Sequence, residues 1–102
     1  QVLINLLKNA MQALEGQADG KIRMEVDTEK NQLLIRVTDN GPGVPSDLIE
    51  DIFVPFFTTK ATGSGIGLSL SRQIIRMHGG ELSVASLPYR ETCFTVSLPV
   101  KP

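Results

Sequence analysis

Between Lys21 and Asp27 apolar and polar residues alternate without a break, with Ile22, Met24 and Val26 on one parity and Lys21, Arg23, Glu25 and Asp27 on the other. A period of two belongs to a strand with one covered face; a helix would scatter the three apolar residues around its axis. Ahead of this stretch, Leu3, Leu7, Ala10 and Leu14, with Val2 and Leu6 beside them, repeat at helical spacing. The period changes again further on. A polar turn over Glu29 to Gln32 leads into a second strand, Leu33 to Thr38, which completes a hairpin. Asp39 to Pro45 is dense in Gly and Pro. It is followed by a short helical turn over Ser46 to Ile52 with Ser46 as N-cap, then by an irregular stretch from Phe53 to Gly65. Leu70, Ile74 and Met77 give core spacing to a helix from about Ile66 to Met77, which stops at Gly79-Gly80. Two strands, Glu81 to Ser86 and Thr92 to Leu98, close the chain around a turn containing Pro88. This order predicts an α+β, two-layer α/β sandwich, with helices packed on one face of a mixed, mostly antiparallel sheet.

A chain of 102 residues supports one domain, residues 1–102, with one core. At 41% hydrophobic and 21% charged it has the composition of a globular protein. The net charge of -1, with no basic run, removes the electrostatic basis for binding nucleic acid or an anionic membrane surface. No apolar run is long enough to cross a bilayer. The single cysteine, Cys93, excludes an intramolecular disulfide and fits a cytoplasmic location. No Met precedes Gln1 and no Ser, Thr, Asp or Asn caps the first helical pattern, so the chain reads as truncated at its start.

Three groups of residues carry possible chemistry. Asn5, Lys8, Asn9 and Gln12 lie at i, i+3, i+4 and i+7 on one helix face, roughly opposite the apolar stripe. Amides in place of carboxylates are unusual on a solvated face, and an amide oxygen is a suitable ligand for Mg²⁺; a plain polar face fits the same spacing. Asp39 continues the inward parity of Leu33, Ile35 and Val37, so a carboxylate is directed into the core layer, where it needs a donor. Gly41 and Gly43 beside it permit close approach of a ligand. Asp-Asn-Gly-Pro is equally strong turn chemistry, and both readings stand at this point. Gly63-Ser64-Gly65-Ile66-Gly67-Leu68-Ser69 runs a glycine loop into a helix, a junction whose backbone N–H groups and dipole favour phosphate. Its spacing matches neither the dinucleotide-binding nor the Walker A pattern.

In this order the pieces resemble the ATP-binding catalytic domain of bacterial sensor histidine kinases. Asn5-Leu6-Leu7-Lys8-Asn9-Ala10 is similar to the family's N box, and Asp39 to Gly43 to its first glycine box. Phe53-Val54-Pro55-Phe56-Phe57-Thr58-Thr59-Lys60 is similar to the F box, and Gly63 to Leu68 to the second glycine box. The N-A-x-x-A form of the first box is closest to nitrogen-regulation-type kinases. The resemblance implies the Bergerat fold, with Mg-ATP as the bound species. Asn9 would ligand Mg²⁺, with Asn5 and Lys8 on the phosphate side. Asp39 would accept from the adenine amine in a pocket shaped by Gly41, Gly43 and Val44, with Thr92, on the parity of Phe94 and Val96, facing it. Phe53 to Ser64 would form a lid over the nucleotide, with Phe53 and Thr59 among its binding residues and Lys60 near the terminal phosphate. Gly63, Ser64, Gly65, Ile66, Gly67 and Leu68 would present backbone to phosphates. The implied partners are the dimerisation and histidine-phosphotransfer domain of the same protein and the receiver domain of a response regulator. The isolated domain would be monomeric, and its parent a homodimer with a possible membrane anchor elsewhere.

Three features depart from the family's pattern. Gln12 stands where a basic residue is common, Pro88-Tyr89-Arg90-Glu91 replaces a glycine-rich turn, and the segment that normally precedes the N box is absent. His78, at the end of a helix before two glycines, matches the family's structural H-G-G, and nothing around Cys93 marks it as a nucleophile. The fold also serves ATPases, which place a Glu where Asn5 stands, and anti-sigma serine kinases. A non-catalytic nucleotide-binding module is a further alternative.

Overall fold

The computed structural model describes residues 1–54, 67–87 and 90–100. Within them the elements are α1 (Val2–Ala13), β1 (Ile22–Glu29), β2 (Gln32–Asp39), two 3-10 turns (Ser46–Leu48 and Asp51–Phe53), α2 (Gly67–Met77), β3 (Glu81–Leu87) and β4 (Glu91–Pro99). The four strands form one sheet in the order β1-β2-β4-β3, and every described pairing is antiparallel. The mixed sheet expected from the sequence is therefore not seen among these residues. Leu6 and Ala10 of α1 and Ile75 of α2 close over Val37, Leu82, Phe94 and Val96 of the sheet. This single apolar layer, with helices on one face, is the two-layer sandwich that the change of period predicts.

Register follows from the β1–β2 turn. Glu29 faces Gln32, which leaves a two-residue loop, Lys30-Asn31, with both residues at positive φ (48° and 64°). That is the primed turn whose twist matches a hairpin, although it usually carries Asn-Gly. Replacing Lys30-Asn31 by Asn-Gly is expected to stabilise the fold by about 0.5–1 kcal/mol, because the left-handed strain at Lys30 is relieved. A shift of the urea midpoint at unchanged slope is the measurement.

Three expectations are corrected. Ile22, Met24 and Val26 pair with Asp39, Val37 and Ile35 and so share the inward parity, yet they are 37%, 51% and 63% exposed. The alternation is real but the half-burial is not: β1 is an edge strand, and none of its residues belongs to the core that α1 and α2 close over. In α2 the buried residues are Ser71 and Ile75, with Leu68 packed against the core, whereas Leu70 and Met77 are exposed. The covered stripe is out of phase with Leu70, Ile74 and Met77 because a polar residue occupies its centre. The helical turn over Ser46 to Ile52 is two separate 3-10 turns, and the N-cap position of the first is Pro45 rather than Ser46.

The end of α2 is built by its glycines. The Gly80 N–H reaches the Ile75 carbonyl at 3.0 Å and the Gly79 N–H the Arg76 carbonyl at 3.0 Å, with Gly79 at φ +79°. This is a Schellman closure in which the exposed His78 holds the C-cap position, in keeping with its structural reading. Beyond it, Glu81 Oε1 accepts from Arg76 Nε (3.2 Å), Arg72 Nε (3.4 Å) and the Leu82 N–H (3.2 Å). Desolvation, the largest single influence, raises the Glu81 carboxyl pKa, but the bonds from Arg76, the Leu82 N–H and Arg72 together outweigh it and hold the group below the usual carboxylate range. The pair of arginines ties α2 to the start of β3.

Candidate functional site

The inward parity of β2 ends on Asp39, which is 3% exposed, and β4 sets the buried Thr92 directly opposite it. Thr92, Phe94 and Val96 are all buried, as their shared parity predicts. Asp39 Oδ1 accepts from the Gly41 N–H at 2.9 Å, so the carboxylate is held by the loop that follows it. Gly41 is buried, and a Cβ there would lie 2.8 Å from that oxygen and 3.2 Å from the Ala13 carbonyl oxygen. Any side chain would push the carboxylate aside or lift the end of α1. Gly43 has φ +76°, a conformation that favours glycine.

Two groups of hydrogen bonds, neither foreseen from the sequence, fix this loop at its ends. Asn40 Oδ1 accepts from the Lys21 N–H (2.6 Å), its Nδ2 donates to the Asp19 carbonyl (3.0 Å), and Gln17 Nε2 donates to the Asn40 carbonyl (2.9 Å). At the other end the Val44 N–H donates to Ser86 Oγ (2.6 Å), which donates to the Glu91 carbonyl (3.1 Å). Asn40 and Ser86 pin the loop to the α1–β1 connection and to the β3–β4 hairpin. An Asn after a strand-end Asp is a turn signal in sequence, but partners so distant along the chain leave no local trace.

α1 forms the adjoining wall. Asn5, Asn9 and Gln12 are half-buried and Lys8 is exposed. The amide face therefore flanks the apolar stripe instead of opposing it, a correction to the sequence reading: Asn5 Nδ2 donates to Ser71 Oγ of α2 at 3.2 Å. Gly67, the first residue of α2, abuts Asn5, since a Cβ on it would lie 3.9 Å from Asn5 Cγ. One end of α1 thus meets the Asp39 loop through Ala13, and the other meets the start of α2 through Asn5. Eight residues of helix separate these contacts by about 12 Å.

Phe53, read as the first residue of a lid, is half-buried. Its ring meets Phe94 edge-on at 6.5 Å, and the Arg72 guanidinium lies 4.2 Å from its centroid. The rest of the expected lid, from Pro55 to Ser64 with Thr59, Lys60 and Gly63, lies outside the described residues, as do Gly65 and Ile66 of the second glycine box. Cys93 sits on the opposite face of β4 from Thr92 and Phe94, 3.9 Å from Thr95 Oγ1.

The chain that carries this arrangement, a buried Asp held by a glycine with an amide-bearing helix beside it, is similar over its whole length to known proteins. The model of the histidine kinase-, DNA gyrase B- and HSP90-like ATPases matches residues 1–102. The chain belongs to this ATPase family. Its likeness to sensor kinases is close: the signal transduction histidine-protein kinase AtoS of Escherichia coli (strain K12) is 48% identical over all of this chain. The sensory histidine kinase/phosphatase NtrB of Rhodobacter capsulatus is 41% identical, again over all of it. The chain spans 17% of the length of AtoS and 32% of that of NtrB. Among solved structures, the nucleotide-free catalytic domain of the histidine kinase ThkA superimposes with a TM-score of 0.85 at 38% identity, over 100% of this chain and 67% of that one. The four-box resemblance to the ATP-binding catalytic domain of sensor histidine kinases and the α+β sandwich are borne out together. Among the described residues no helix is long and apolar enough to cross a membrane.

Proposed function

We propose that this domain binds Mg-ATP and, in the cytoplasm, supports transfer of the γ-phosphoryl group to a histidine. That histidine would lie on the dimerisation and histidine-phosphotransfer domain of the same protein, from which a response regulator's receiver domain takes the phosphoryl group. The observation that supports this most is Asp39: a buried strand-end carboxylate beside a glycine that admits no side chain suits the exocyclic amine of adenine. Gly41, Gly43 and Val44 shape that end of the pocket, and Thr92 faces it. Asn5 and Asn9, half-buried on α1, serve the phosphate end with Lys8, and Asn9 is assigned to the cation. The donor set fits Mg²⁺ that arrives with phosphates: the α1 face offers amide oxygens, and the described residues contain no cluster of three His, Cys, Asp or Glu for a metal of another kind. When bound, the cation supplies neutralisation of phosphate charge. Gly63, Ser64, Gly65, Ile66, Gly67 and Leu68 are assigned to backbone contacts with phosphate, and Thr59 and Lys60 to a lid over it.

In the reaction the bond between the γ-phosphorus and its bridging oxygen breaks, its electron pair staying on that oxygen as ADP leaves, while the lone pair of the unprotonated histidine nitrogen forms the new bond to phosphorus and the other ring nitrogen gives up its proton to solvent. That nitrogen is already nucleophilic, so the domain's part is positioning and charge stabilisation. An ATPase would need a group to orient or deprotonate water. Asn5, an amide that donates to Ser71, is poorly suited to that task. The chain is expected to bind Mg-ADP in calorimetric titration and to remain unlabelled when incubated with ATP carrying a labelled γ-phosphate. Acid-labile label on His78 would overturn the assignment of the acceptor to another domain. Steady release of labelled phosphate would favour the ATPase reading, and the absence of nucleotide binding a non-catalytic module.

A further inference from the structure

Ser71 is the one fully buried polar residue of α2, at 0% exposure, on the stripe that also carries Leu68 and Ile75. A hydroxyl in that position is costly to bury unless it is bonded, and alanine would satisfy the packing at least as well. What the hydroxyl holds is the Asn5 amide, 66 residues away, through Nδ2–H···Oγ at 3.2 Å. Gly67, four residues before Ser71 and so on the same face of α2, faces Asn5, whose Cγ a Cβ there would meet at 3.9 Å. The amide is therefore held at its nitrogen by Ser71 and lies where a methyl placed on Gly67 would only just touch it. A carboxamide is planar, with nitrogen and oxygen on opposite sides of Cγ, so fixing one fixes the other. With the donor end engaged, the oxygen is directed away from Ser71.

We propose that Ser71 is a positioning residue: by accepting from Asn5 Nδ2 it holds that amide with its oxygen turned towards the cation that accompanies the phosphates, beside Asn9, and ties the N-box helix to the start of α2. The proposal rests on the nucleotide reading above. Without the hydroxyl the half-buried Asn5 amide is no longer held in that orientation, and its oxygen is lost to the end of the site that accommodates the cation. The adenine end, built on Asp39 and Gly41, has no part in this contact.

The test is titration of ADP with Mg²⁺ and with EDTA, on the parent chain and on Ser71→Ala. Loss of one neutral hydrogen bond corresponds to about two- to tenfold in affinity, and that loss is expected for Mg-ADP only, with ADP in EDTA unchanged. In an Asn5→Ala background Ser71→Ala is expected to have no further effect, since the group it positions is gone. Equal losses with and without Mg²⁺, an additive double mutant, or Mg-ADP affinity unchanged in Ser71→Ala would each overturn the proposal. A parent chain that binds no Mg-ADP would overturn the nucleotide reading and this proposal together, whereas a parent that binds while Ser71→Ala behaves identically overturns the Ser71 role alone.

Discussion

Asp39→Asn is expected to weaken Mg-ADP binding by about 10- to 150-fold, the loss of a charge-assisted hydrogen bond of about 1.5–3 kcal/mol. The geometry explains why so small a change has so large an effect. Asp39 Oδ1 already accepts the Gly41 N–H, so the carboxylate serves the loop on one side and, in the proposed pocket, an adenine amine on the other. Both partners are donors. An amide has one acceptor oxygen: if it stays on Gly41, an NH2 faces the adenine amine; if it turns, an NH2 faces the Gly41 N–H. Either orientation sets donor against donor in a nearly closed space. Lys60→Ala is the contrasting variant, because ADP lacks the γ-phosphate to which Lys60 is assigned, and its affinity should stay close to that of the parent. Calorimetric titration of the three proteins decides the matter, and equal affinity of the parent chain and Asp39→Asn would remove the adenine role.

Asp39 was legible in the sequence because strand parity is a local property: once Leu33, Ile35 and Val37 face inward, the next residue of that parity does too. Thr92 was found in the same way from Phe94 and Val96. The same logic located Ile22, Met24 and Val26 on the correct face and still misjudged their burial, since parity assigns a side of the sheet but says nothing of what covers it. α2 shows the complementary failure. Its covered stripe contains Ser71, and a search for apolar periodicity passes over a buried serine to the neighbouring row of Leu70, Ile74 and Met77. Hydrogen bonds between segments far apart in sequence were the least legible feature. Asn5 to Ser71 spans 66 residues and Val44 to Ser86 spans 42, with no spacing rule to connect them. The first glycine box marked where the candidate site begins, but not the contacts of Asn40 and Ser86 that hold its loop.

Gly80→Ala should do the reverse of Asp39→Asn, lowering stability with little change in the intrinsic affinity for nucleotide. A Cβ on Gly80 would collide with the Ser97 carbonyl oxygen, and would lie 2.9 Å from Leu98 Cδ2 and 3.1 Å from Ile75 Cγ2. A leucine terminus gives way at modest cost. A carbonyl of β4 does not, because Ser97 belongs to the register that pairs β4 with Leu34 of β2 and Glu81 of β3. The chain must then either shift the β4 ladder or draw Gly80 away, stretching the 3.0 Å bond from its N–H to the Ile75 carbonyl that closes α2. Overpacking of this kind costs about 1–3 kcal/mol, and for a domain of this size each kcal/mol lowers the melting temperature by about 4–8 °C. Gly79→Ala, which meets left-handed backbone but only a 3.5 Å contact with Pro99 Cγ, is the milder companion, at about 1 kcal/mol. Asp39 and Asn5 do not touch this corner, so Mg-ADP should raise the melting temperature of Gly80→Ala by an increment like that of the parent chain. If Gly80→Ala melted with the parent, the Ser97 carbonyl would have to yield more readily than its place in the ladder allows, and the join between α2 and β4 would not be the rigid corner described above.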